Sequence, residues 1–231
     1  MDDRDPVLET AGLCFFSKMT AAYCHETKNA LAIINENAGL LEDLVLMAAK
    51  GRPLDPERLQ RLSANIRRQV ARADQLAKES HRLAHSLDAP QGPSDLGQAL
   101  ELATALASRF AAMAEVAIEI DPGPAAVSLP VSTFKLLHLI WLAMEFALTG
   151  MHKGGCLGIA MEKSPPRAVL RLAPLALCDE SQATRFITIP EVHSLVKALR
   201  CNIDFEPQAA QLLLYFEING RTKGATHASA E

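Results

Sequence analysis

His25 and Glu26 put an imidazole beside a carboxylate, and Asn29 adds an amide one helical turn later. An imidazole held in water on a rigid helix is available as a nucleophile or a proton carrier. The run Tyr23-Cys24-His25-Glu26-Thr27-Lys28-Asn29-Ala30-Leu31 contains no helix breaker. Turning about 100° per residue from Phe16, Tyr23, Ala30, Ile34 and Leu41 fall within about 40° of one line. His25 falls at about 180° and Asn29 at about 220°, away from that stripe. A core histidine would not stand there. Lys28, at about 120°, lies to one side and can screen an incoming negative group.

Metal chemistry fits these residues poorly. In His25-Glu26-x-x-Asn29 an asparagine stands where a zinc-binding helix needs its second histidine. His81 and His85 are spaced i, i+4, but no third ligand accompanies them. No metal or cofactor is expected on this chain.

The elements that must carry these residues are long helices. From about Pro6 to Lys50 the pattern is helical, and after Gly12 its only interior glycine is Gly39. Gly51-Arg52-Pro53-Leu54-Asp55-Pro56 breaks it, with Asp55 placed to cap and Pro56 suited to a first turn. Leu59, Leu62, Ile66, Val70, Ala73, Leu76, Ser80, Leu83 and Leu87 then recur at steps of three and four. Phe16 and Met19 are expected in the bundle core, with Phe15 a candidate for an exposed patch. Two such helices make an antiparallel hairpin over residues 1–89, which cannot cover its own apolar stripe. A homodimeric four-helix bundle is the expected solution. A bend at about residue 52 would set Ser80 and His81 near the level of His25.

Ala89-Pro90-Gln91-Gly92-Pro93-Ser94 reads as a linker, and residues 95–220 as a second domain. Its pattern is a helix from Asp95 to Ala114, a strand over Val116–Asp121 and an apolar helix from Val131 to Thr149. Strands at Cys156–Glu162 and Ala168–Leu172, a helix at Glu191–Arg200, and strands at Asn202–Phe205 and Leu212–Ile218 follow. Trp141, Met144 and Phe146 read as core. Residues 221–231 form a polar tail expected to be flexible. The fold class is therefore α+β.

His25-Glu26-Thr27-Lys28-Asn29-Ala30-Leu31 resembles the phosphoacceptor box of sensor histidine kinases, His-Glu-(aliphatic)-(Arg/Lys)-Asn-Pro-Leu. Thr27 replaces the aliphatic residue and Ala30 the proline. In that family the box lies on the first helix of a dimerisation and phosphotransfer hairpin. Residues 95–219 resemble, in element order and spacing, the ATP-binding α/β sandwich that follows it. The resemblance implies that His25 accepts a phosphoryl group and that Glu26 takes the proton of its other ring nitrogen. It also implies that Asn29 orients a water for attack on a partner's aspartyl phosphate.

The nucleotide motifs of that family do not recur. The helix that should present asparagines to magnesium and phosphate reads Leu139-Ile140-Trp141-Leu142-Ala143-Met144-Glu145-Phe146-Ala147. The strand ending near Leu172 leads into Ala173-Pro174-Leu175-Ala176-Leu177-Cys178-Asp179-Glu180, where a glycine-rich adenine turn should be. No glycine lies between Gly158 and Gly220, so no backbone there offers the positive-φ turns that wrap phosphates. A degenerate domain without nucleotide binding is expected. The expected activity is histidine phosphotransfer with response-regulator receiver domains as partners, the receiver supplying both aspartate and Mg2+. Two alternatives stay open: a non-enzymatic adaptor that binds a receiver or a kinase, and a divergent ATP-dependent kinase or phosphatase.

Composition excludes several function classes. The 231 residues carry a formal net charge of −4, with pI near 6.0, so no nucleic-acid footprint is expected. No apolar run is long enough for a membrane span, and the acidic N-terminus lacks a signal segment. Five scattered cysteines without a Cys-x-x-Cys pair read as reduced thiols, which points to a cytoplasmic protein.

Overall fold

The structure, a computed structural model, describes residues 5–88, 92–121, 123 and 126–218. The expected tail at 221–231 and the centre of the expected linker lie outside the described residues. The chain divides into two compact units. One is Leu13–Ala84; the other joins the described residues up to Gly12 with those from His85 onward.

The first unit is the helical hairpin. Helix α1 is continuous over Pro6–Ala49, its 44 residues extending from the second unit into this one. It ends in a Schellman motif: Arg52 N–H donates to Met47 O (3.2 Å), Gly51 N–H to Ala48 O (2.9 Å), and Gly51 takes φ +81°. Helix α2 covers Pro56–His85, its start marked by Glu57 N–H donating to Asp55 Oδ1 at 2.9 Å. Asp55 and Pro56 thus serve as their types predict.

Register within the hairpin is set by polar pairs. Asn65 Nδ2 donates to Asn37 Oδ1 at 3.1 Å, while Asn37 Nδ2 donates to Ile33 O at 2.6 Å. Arg72 pairs with Glu26 nearer the other end. Pairing 37 with 65 and 26 with 72 puts the bend near residue 50, and Ala73–Ala77 opposite His25. Ser80 and His81 therefore lie about a turn or more beyond the level expected for them.

Packing on α1 also departs from the expected line. Tyr23, Ala30, Asn37 and Leu44 are buried at a strict seven-residue interval, and Phe15 and Met19 are buried ahead of them. This face lies about 60° round from the line through Phe16, Ile34 and Leu41, which are only half-buried. Phe15, a candidate for an exposed patch, is core. The reason is a second apolar seam beside the first: Thr27, Leu31, Ile34, Ala38, Leu41, Val45 and Ala48, at alternating steps of four and three. A wheel drawn from sequence averages the two seams. Leu31 is 55% exposed and Val45 65% exposed. On α2, Val70 also stays exposed, because it lies about 80° from buried Leu62.

The second unit is a helix layer on a mixed sheet. The described elements are β1 (Ser94–Asp95), α3 (Leu96–Ala114), β2 (Ala117–Asp121), β3 (Ser128–Leu129) and α4 (Thr133–Thr149). They continue with β4 (Cys156–Ser164), β5 (Arg167–Ala173), α5 (Glu180–Thr188), α6 (Pro190–Leu199), β6 (Cys201–Glu206) and β7 (Gln211–Glu217). Strand order is β2-β4-β5-β7-β6, with β2 and β4 parallel and the other neighbours antiparallel. Leu157, Ile159 and Met161 alternate into the core with Ala168, Leu170, Leu172, Leu212, Leu214 and Phe216. Leu136, Leu139, Ile140 and Met144 of α4 are buried in the same unit. Gly123 is held at φ +59°, and a Cβ there would lie 1.9 Å from Met161 O, so the position admits no side chain.

The expected helices and strands of this unit all occur, within a residue or two of the expected bounds. Two features are additional. The short pair β1–β3 ties Ser94 opposite Leu129. Helix α5 fills the segment after β5, and its signal was present in the sequence: Asp179 and Gln182 form a capping box.

Candidate functional site

His25 lies mid-helix on α1 and is exposed. Its Nδ1 is 3.2 Å from Asn29 Nδ2, one turn along the same helix. In this amide orientation Asn29 donates to Nδ1, and a neutral ring carries its proton on Nε2. Turning the amide by 180° presents Oδ1 instead; it then accepts from Nδ1–H and leaves the Nε2 lone pair free. The i, i+4 pair can thus support either tautomer. Lys28 is exposed beside them.

Glu26 points differently from its neighbour. Its carboxylate pairs with Arg72 of α2, and the Glu26 side chain is only 17% exposed. Sequence reasoning did not single out Arg72, because nothing in α2 marks one arginine among several. A second polar cluster lies within two residues of His25 in sequence. Tyr23 is buried, and its hydroxyl lies close to the Glu79 carboxylate with no well-aligned hydrogen bond among the described residues. Burial first, and Glu79 second, push the phenol well above its usual range. Gln75 donates to Glu79 at 2.7 Å and satisfies one of its oxygens.

In the second unit, the helix face that the kinase resemblance assigns to magnesium and phosphate belongs to α4. Glu145 is its one acidic group there, and Phe146 stacks on Phe186 of α5 with ring centroids 4.5 Å apart and planes 11° apart. The segment after β5 is tied down, Leu177 N–H donating to Gly150 O at 2.9 Å and Leu175 N–H to Ala210 O at 2.7 Å. A magnesium nucleotide needs several oxygen or amide ligands and open backbone N–H groups for its phosphates. One carboxylate beside a stacked aromatic pair does not fit that group. Among the described residues no cluster of three or more His, Cys, Asp or Glu is placed to hold a metal ion. No helix among them is long and apolar enough to cross a membrane.

No family model matches the chain, and no curated protein matches it. Several solved structures share its general outline. Acinetobacter baumannii histidine kinase AdeS is 15% identical with a TM-score of 0.46, over 84% of this chain and 98% of that one. A bacterial phosphotransferase is 14% identical with a TM-score of 0.44, over 87% and 95%. A histidine kinase from Burkholderia phymatum is 14% identical with a TM-score of 0.43, over 89% and 98%. At such values the likeness carries no argument about activity.

Proposed function

We propose that this protein is a histidine phosphotransferase of a two-component phosphorelay, moving a phosphoryl group between His25 and aspartates of response-regulator receiver domains without using ATP. The observation that carries this reading is the exposed imidazole on α1, with an amide 3.2 Å from its Nδ1. With Asn29 Oδ1 holding Nδ1–H, the Nε2 lone pair attacks phosphorus in line with the bond to the aspartate. The P–O bond breaks, and its electron pair leaves with the receiver's carboxylate. The Nδ1 proton stays on the ring or passes to water. Lys28 screens the approaching negative charge. Mg2+ comes with the receiver and offsets charge on the transferring group.

The reading includes a homodimer. The seam from Thr27 to Ala48 has the four–three spacing of a helical bundle, and Leu31 and Val45 leave more than half of their surface in water. A second copy of the hairpin would cover it and complete a four-helix bundle whose seam begins at the phosphoacceptor box. The absence of a fitting nucleotide set around Glu145 and Phe146 favours phosphoryl supply from a receiver over autophosphorylation. Incubation with a phosphorylated receiver should transfer label to the protein, and His25→Ala should abolish it. Unlabelled protein across several receivers that nevertheless bind would replace transfer with the adaptor reading.

A further inference from the structure

Between α4 and α5 the second unit keeps a concave site of about 390 Å³, within the range of small-ligand pockets. Leu142, Phe146, Phe186 and Ile189 give it apolar walls, and Gln182 and Arg185 stand among its lining residues. The walls are fixed before any ligand arrives. The Phe146–Phe186 stack joins α5 to α4. The capping box, Gln182 N–H to Asp179 Oδ1 at 2.7 Å and Asp179 N–H to Gln182 Oε1 at 2.9 Å, sets where α5 begins. The bond from Leu177 N–H to Gly150 O holds the preceding loop against the end of α4. A preformed site loses less ordering entropy on binding than a loop that must close.

The polar groups that α5 brings to the lining, Gln182 and Arg185, are left with donors to offer. The Oε1 of Gln182 is used by the capping box, which leaves its amide NH2 as a donor. Among the described residues, the Arg185 guanidinium pairs with no carboxylate. The two positions are i, i+3 on α5, so both donors project on one side. Thr149 has already given its proton to Phe146 O at 2.6 Å. Glu145, also in the lining, carries the opposite charge and disfavours a polyanion such as a triphosphate. We infer that this cleft binds a compact apolar molecule bearing a single carboxylate, its body against the phenylalanine pair and its acid group on Arg185 and Gln182. The site uses none of the residues proposed for phosphoryl transfer and gives the second unit a ligand of its own.

The test is a titration of the full chain, followed by methyl NMR, with 4-phenylbutyrate, with the neutral 4-phenylbutan-1-ol and with Mg-ATP. The acid should saturably shift the Leu142 and Ile189 methyl signals and bind about 5- to 10-fold more tightly than the alcohol, as one solvent-edged charge-assisted contact provides. Arg185→Gln should bring the acid down to the alcohol's affinity and leave the alcohol unchanged. Equal binding of acid and alcohol, no saturable shift with either (a groove for a protein partner), or tighter binding of Mg-ATP would each overturn the assignment. The same titration on His25→Ala should give identical results, so failure here and failure of the phosphotransfer reading are separable.

Discussion

Arg72 of α2 closes an ion pair across the hairpin with Glu26, the residue next to His25. The arginine side chain is 58% exposed, so the pair contributes at most about 1 kcal/mol to folding. Its larger effect is positional, since it holds the Glu26 carboxylate on the α2 side of the helix that carries the proposed nucleophile. Arg72→Gln should leave the melting temperature almost unchanged while altering the rate of phosphoryl transfer and its pH profile. A variant with unchanged rate at every pH would make the pair purely structural.

Asn29 is expected to govern which ring nitrogen of His25 is free. Aspartate at this position can only accept from Nδ1–H, so Asn29→Asp should enrich the tautomer with a free Nε2. Asn29→Ala should lose that bias and slow transfer by several-fold. Nitrogen chemical shifts of the His25 ring report the tautomer directly, and identical spectra in all three proteins would remove Asn29 from this role.

The second α1 seam predicts a concentration-dependent dimer. Leu31→Glu with Val45→Glu places two charges in that seam without touching the buried face of Tyr23, Ala30 and Leu44. Sedimentation should show a dimer for the native chain and a folded monomer for the double variant. A native chain that sediments as a monomer at high micromolar concentration would contradict the four-helix bundle.

Acid should weaken the second unit through His138. This imidazole is 2% exposed on α4, and burial pulls its pKa down to about 4 even though Glu191 Oε1 lies 2.7 Å from Nε2 and favours the charged ring. Because the folded value lies below that of a free imidazole, the unfolded chain binds the extra proton between about pH 6.5 and 4. The contribution is complete above about pH 6.5 and is lost as pH falls, with a slope of up to about 1.4 kcal/mol per pH unit. Denaturant melts from pH 7 to pH 5 should show this slope, and His138→Gln should flatten it.

Much of this arrangement was legible from residue types. Asp55 with Pro56 marked the start of α2, alternation marked the strands, and the angle of His25 placed it outside the buried face. What sequence could not resolve was which of two adjacent apolar seams faces α2. Both have helical spacing, and the contacts across to α2, Asn37–Asn65 and Glu26–Arg72, select one. The same two pairs fix the bend near residue 50, slightly earlier than the Gly51–Pro56 break suggests. Helix α5 has only one local signal in the sequence, Asp179 and Gln182 at capping-box spacing, and its nine residues are too short for a clear apolar period. The pairing of Arg72 with Glu26 depends on register alone and left no local signal.

The most direct measurement sets two phosphoryl donors side by side, a phosphorylated receiver domain and Mg-ATP, and maps the modified residue by mass spectrometry under alkaline conditions that preserve phosphohistidine. The account predicts modification from the receiver only, at His25 only. Modification from ATP, or on any residue other than His25, would contradict it.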